Sequence, residues 1–259
     1  MTALFEDIIF GPIRSRRLGL SLGVNLLPQH AKICNFDCIY CECGDNAERR
    51  GEPKERRFAE TERVKEALQQ RLMAMQSDGE LPDVITFAGN GEPTLHPDFE
   101  QIIEATIKLR DEYAPTAKIS VLTNANNLSN SAVVSALRKV DNNILKLDSA
   151  IQTTAVAMNR PTNNYRVDEV IDRLAQFGGE AIVQTMFLRG KIVDTEIDNT
   201  TEEELQQWLS ALKKIAPRSV MIYSIDRDTP CSGLQKVSKE ELTEIAKRVT
   251  ALGLNCSVA

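Results

Sequence analysis

The chain has 259 residues, 42% hydrophobic and 26% charged, which is ordinary composition for a protein with a sizeable buried core. Its 37 acidic and 31 basic residues leave a formal charge of −6, so a nucleic-acid partner is not favoured, although Arg14, Arg16 and Arg17 form a local basic patch. No apolar run approaches the ~20 residues that span a bilayer, and residues 1–10 carry Glu6 and Asp7 without a basic leader region, so a cytoplasmic location with no membrane partner is expected.

In chain order, Gly11, Gly19 and Gly23 punctuate an opening stretch that predicts a hairpin or a first strand around residues 20–26. Val64, Ala67, Leu68, Leu72 and Met75 then share one helical face. Short, mostly apolar strand-type runs follow at 84–87, 118–122 and 143–147. A helical face of Val167, Val170, Ile171 and Leu174 precedes a strand at 181–186. Leu205, Trp208, Leu209 and Leu212 repeat the helical spacing, a strand follows at 219–223, and Leu242, Ile245, Ala246 and Val249 lead to a last strand at 254–258. Thr201 with Glu204, and Ser238 with Glu241, have the spacing of capping boxes.

This alternation predicts an α/β fold with a parallel sheet and right-handed crossovers, either an open doubly wound sheet or a barrel. There is no internal repeat and no linker rich in Pro, Gly or Ser, so residues 1–259 are expected to form one domain.

Four of the six cysteines crowd between 34 and 43. In a reducing compartment such clusters more often hold metal or do chemistry than form disulfides. The segment Cys34-Asn-Phe-Asp-Cys38-Ile-Tyr-Cys41 offers three thiolates to one face of an iron–sulfur cube, which normally takes four. Three ligands leave one iron open. Cys43 as a fourth ligand would instead make a closed electron carrier, and Cys38, Cys41 and Cys43 with a distant partner would suit zinc. Buried thiols without metal are the third reading.

Cys-x-x-x-Cys-x-x-Cys with an aromatic residue, Tyr40, before the last cysteine resembles the signature of the radical S-adenosylmethionine (SAM) superfamily. The resemblance implies a partial (β/α)6 TIM-like barrel with the cysteine loop after its first strand. It also implies a [4Fe–4S] cluster on Cys34, Cys38 and Cys41, SAM chelated at the open iron, and reductive cleavage to a 5′-deoxyadenosyl radical that abstracts hydrogen from a substrate. Reduced flavodoxin or ferredoxin would be the electron donor. The substrate is not named by any of these residues.

Further residues fit the same resemblance. Gly89-Asn90-Gly91-Glu92 after the second strand looks like the segment that receives the methionine end of SAM, with Asn90 inserted between the glycines. Glycine permits close backbone approach and a carboxylate accepts from an ammonium group. Asn124 and Asp148 follow the third and fourth strands, where polar residues face a barrel mouth, and are candidates for ribose or substrate. Tyr40 is a candidate to pack near the adenine. Gln184, Met186 and Tyr223 are weaker candidates. The stretch from Phe10 to Gly19, and Ile225 to Pro230 after the sixth strand, resemble a subgroup of wyosine-synthetase-related iron–sulfur oxidoreductases. The wyosine synthetase carries a second cluster, with cysteines ahead of this motif. Here none precedes Cys34, and Cys231 and Cys256 are too few for another full set.

Overall fold

The computed structural model describes residues 4–15, 18–51, 57–192, 194–227 and 229–259. Arg16, Arg17 and Asp228 lie outside them. Strand β1 (Ile9–Ser15) and strand β2 (Gly19–Val24) form an antiparallel hairpin, so the opening stretch is both hairpin and first strand. After β2 and the cysteine loop come α1 (Thr61–Asp78), β3 (Val84–Phe87), α2 (Phe99–Tyr113), β4 (Lys118–Thr123), α3 (Ser131–Lys139) and β5 (Asn142–Lys146). Helices α4 (Gln152–Asn159) and α5 (Val167–Ala175) lead to β6 (Ile182–Ile192), β7 (Thr195–Asp198) and α6 (Glu202–Ile215). The chain ends with β8 (Ser219–Ser224), β9 (Leu234–Lys236), α7 (Lys239–Thr250) and β10 (Asn255–Val258).

The sheet runs β1-β2-β3-β4-β5-β6-β8-β10, and every pair after the first is parallel. Between β2 and β8 lie the six strands of a partial (β/α)6 barrel. Among the described residues the two ends of the path do not pair, so the barrel stays open. Strand β6 outruns its neighbours. Its last residues pair antiparallel with β7 and β9, which builds a small sheet beyond the barrel's carboxyl end.

Local chemistry explains these elements. All four residues of β3 are buried, as a strand covered on both faces requires. Ile85 lies opposite Leu22 on one side and Ile119 on the other. Gly79 ends α1 in the left-handed conformation. The box at Ser238 is complete, with its hydroxyl and the Glu241 carboxylate each accepting the other's backbone N–H at 3.1 Å. The box at Thr201 is only half made. Thr201 Oγ1 accepts from Glu204 N, but the Glu204 carboxylate is buried and accepts from Ser149 Oγ at 2.6 Å instead. Trp208 is fully buried against Phe187, and its indole N–H donates to Thr185 Oγ1 at 3.1 Å. Among the described residues no helix is long and apolar enough to cross a membrane.

Candidate functional site

The carboxyl ends of β2, β3, β4 and β5 deliver four segments to one place: residues 25–46, 89–92, 123–124 and 146–148. This is the face where barrels of this kind carry their chemistry.

The cysteine loop is held on one side by the 89–92 segment. Ile33 N donates to Asn90 O and Glu92 N donates to Ile33 O, both at 2.9 Å, so the two segments bridge like short parallel strands just before Cys34. Gly91 has φ +136°, and a Cβ there would lie 1.8 Å from the Ile33 carbonyl oxygen. A Cβ on Gly89, at φ +149°, would meet Asn25 Oδ1 at 2.4 Å. Both glycines are thus required by close approach of the chain itself. The Asn90 side chain turns to the N-terminal segment. It accepts from Phe5 N and donates to Phe5 O at 2.8 Å each, and donates to Pro28 O at 2.7 Å.

Glu92 is 2% exposed. Its Oε1 accepts from Thr94 N at 3.1 Å, Thr94 Oγ1 at 2.6 Å and Thr123 Oγ1 at 2.7 Å, and Oε2 accepts from Asn124 N at 2.7 Å. Burial pushes this carboxyl above the ordinary glutamate value, and the four donors work against that rise. Oε2 keeps lone-pair capacity for one more donor. Asn124, so anchored, donates through Nδ2 to Asn35 Oδ1 at 2.6 Å and to Cys34 Sγ at 3.6 Å.

The other wall is charged. Lys146, at the end of β5, donates from Nζ to Cys38 Sγ at 3.0 Å and pairs with Asp148 Oδ2 at 3.2 Å. The Tyr40 hydroxyl donates to the same carboxylate oxygen, and Asp148 Oδ1 accepts from Met186 N at 3.0 Å. The ammonium lies 4.6 Å from the Tyr40 ring centroid and 5.7 Å from that of Phe36. Burial, then the Asp148 charge, holds the Tyr40 hydroxyl well above its ordinary range. Behind the loop a second cation, Lys32, is 3% exposed and donates to Asp37 Oδ1 at 3.1 Å and Gly44 O at 2.8 Å. Burial opposes its charge, but Cys41, Cys34, Cys38 and Asp37 outweigh burial and hold it charged. Asn46 clamps the loop further, accepting from Cys34 N at 3.1 Å and donating to Cys34 O at 2.9 Å.

The thiols differ accordingly. Burial pushes Cys34 and Cys38 up, with Lys32 the main opposing charge at the first and Lys146 at the second. Cys41 is pulled down, first by the hydrogen bond from Cys43. Cys43 is pushed up by the same bond, and its thiol donates to Gly89 O at 3.4 Å.

This donor set fits a [4Fe–4S] cluster: three soft thiolates on one short loop, with the buried Lys32 and partly buried Lys146 ammonium groups to balance their charge. The Cys43 thiol, the fourth ligand of the carrier reading, donates to Gly89 O at 3.4 Å.

Sequence reasoning singled out Cys34, Cys38, Cys41, Tyr40, Glu92, Asn124 and Asp148, and the fold brings them together. It passed over Lys146, Lys32, Asn46 and Asn35. The one available signal was a lysine inside an otherwise apolar strand run at 144–147. Arg227 reaches across to Glu42, between two of the cysteines, at 2.7 Å. Gln184 is nearly buried on β6, where Leu147 N donates to its carbonyl.

The Radical SAM superfamily model matches residues 29–203. The chain is 31% identical over 214 residues to a UPF0026 protein of Methanocaldococcus jannaschii, covering 81% of this chain and 61% of that one. It is 31% identical over 227 residues to a UPF0026 protein of Synechocystis, covering 86% and 77%. It is also 28% identical over 254 residues to a GTPase Obg of Brachyspira hyodysenteriae, covering 96% of this chain but 34% of that one. This chain contains no Gly-x4-Gly-Lys-Ser/Thr phosphate loop. The chain therefore spans between about a third and three fifths of the length of two of these relatives. In structure it resembles a radical SAM methyltransferase from Sphaerobacter thermophilus, with TM-score 0.68 at 13% identity over 92% of this chain and 65% of that one. It also resembles archaeal TYW1, with TM-score 0.52 at 13% identity over 89% and 71%. These likenesses show a shared fold. With the family match over most of the cysteine-bearing barrel, the chain belongs to the radical SAM superfamily and, within it, groups with the UPF0026 proteins.

Proposed function

We propose that this chain is a radical SAM enzyme built as one core over residues 1–259. In this reading Cys34, Cys38 and Cys41 hold a [4Fe–4S] cluster, and the 89–92 segment receives the methionine end of SAM. The observation that carries the reading is the pairing of the three-cysteine loop with a wall of buried donors and a buried carboxylate at the carboxyl ends of four parallel strands. Cys34, Cys38 and Cys41 would hold the cluster, which would supply the one-electron reduction of SAM that makes it a source of a hydrogen-abstracting radical.

The protein's part is positioning and electrostatics. Glu92 fixes the turns after β3 and β4 and offers its remaining Oε2 lone pair to an ammonium group. Asn124 donates toward Cys34 Sγ, and Lys146 toward Cys38 Sγ. Asp148 orients Tyr40 and Lys146 together, and in this reading Tyr40 would flank the adenosyl group. A reduced flavodoxin or ferredoxin delivers the electron.

Anaerobic reconstitution with iron and sulfide tests this assignment. Wild-type protein and Cys43→Ala should each take up about four irons per chain. Cys34→Ala, Cys38→Ala and Cys41→Ala should each lose the cluster. Loss of it in Cys43→Ala, with the three other variants unaffected, would contradict the ligand set.

A further inference from the structure

Lys146 stands on β5, outside the cysteine motif and outside the 89–92 segment, yet its ammonium nitrogen is 3.0 Å from Cys38 Sγ. Its side chain is 15% exposed and, among the described residues, it pairs with Asp148, 3.2 Å away. That carboxylate is shared. Asp148 also accepts from the Tyr40 hydroxyl and Met186 N, which fixes it in place. The Tyr40 ring lies 4.6 Å from the ammonium and the Phe36 ring 5.7 Å, so two aromatic faces flank the charge. Cys38 itself is buried, and its thiol reaches Asn159 Oδ1 at 3.4 Å.

Resting on the cluster assignment above, we infer that Lys146 is a positioning residue that sets the reduction potential of the cluster through Cys38. One-electron reduction adds one negative charge to the cluster and its thiolates, with no proton taken up. A donor N–H on a ligating sulfur, carrying a positive charge in low-dielectric surroundings, stabilises that added charge more than the oxidised state. Hydrogen bonds to ligating sulfurs, net charge and solvent exposure are the terms that set such potentials, and Lys146 contributes to the first two. Asp148 offsets part of its charge and holds its direction. The difference from Cys34 is chemical, since the side-chain donor there is the neutral Asn124 amide at 3.6 Å.

The test is a redox titration of the reconstituted cluster followed by electron paramagnetic resonance, without SAM. Dithionite with mediators supplies the electron. Lys146→Leu should keep its irons and show at least a tenfold lower ratio of reduced to oxidised cluster at a given potential, or about 59 mV for a one-electron couple. Lys146→Arg should recover most of the shift. Asp148→Asn, which removes the counter-charge, should move the ratio the other way and carries the test if Lys146→Leu loses its cluster. An unchanged midpoint in Lys146→Leu with full iron content overturns the inference. So does weakened SAM binding with an unchanged midpoint, which would make Lys146 a cofactor ligand only. If Lys146→Leu is cluster-free, an unchanged or lowered midpoint in Asp148→Asn overturns it as well. Wild-type protein that takes up no iron would instead sink the cluster assignment beneath it.

Discussion

The two walls of the site are built by different means. The wall from β3 and β4 is hydrogen-bond stitching: Asn90 is bonded to Asn25 and Ile33, and Glu92 to Ile33, Thr94, Thr123 and Asn124, while Gly89 and Gly91 lie against Asn25 and Ile33 too closely for a side chain, and the only charge among them is one buried carboxylate. The wall from β5 is ionic, with Lys146 set between a thiol and a carboxylate. Changes in the first wall should therefore displace the cysteine loop, whereas changes in the second should leave the loop standing and alter its electrostatics.

Gly91→Ala attacks the first wall most directly. A Cβ 1.8 Å from a carbonyl oxygen cannot be accommodated without moving Ile33, and the backbone is in a region that strains other residues. We expect a loss of more than about 3 kcal/mol in denaturant unfolding, together with loss of cluster uptake. A variant of native stability and full iron content would show that the bridge does not position the loop.

Glu92→Gln comes next. It replaces an acceptor of four donors with a group that must itself donate, at a cost of about 1–3 kcal/mol. The pH dependence has a definite sign. Because burial raises the folded pKa of Glu92, its contribution to stability is present below the ordinary value of 4.5 and is lost as pH rises through the raised folded value. Gln cannot ionise. The stability of wild type relative to Glu92→Gln should therefore fall as pH rises above 4.5, and a difference that grows with pH would refute the burial argument.

Arg227→Ala should do least. Its pair with Glu42 is largely exposed on both sides, so urea unfolding should change by less than ~1 kcal/mol. Iron uptake should be unaltered. A larger effect would mean that the β8–β9 connection braces the cysteine loop.

How much of this was legible follows from the periodicities. The six barrel strands, β10 and the helices α1, α5, α6 and α7 were readable from their apolar patterns, whereas β7 and β9, of four and three residues, were not among the expected strands. Helix α2 was not readable, since Phe99, Ile102 and Ile103 are followed at the next position of the face by Thr106, a polar residue that is nonetheless buried. The cysteines and Glu92 were legible because short spacing and a glycine setting survive in one dimension. Lys146 and Asn46 were not, because their partners are 108 and 12 residues away and only the fold brings them together. Glu204 misled for the same reason: local spacing made it a capping residue, while Ser149, 55 residues distant, holds its carboxylate.

The central claim is that a three-ligand cluster meets SAM at this site, and product analysis tests it most directly. Reconstituted, dithionite-reduced protein incubated anaerobically with SAM should form 5′-deoxyadenosine and methionine slowly, even without substrate, and Cys38→Ala should form neither. Intact, SAM-loaded, reduced protein that yields no 5′-deoxyadenosine over many hours would contradict the account.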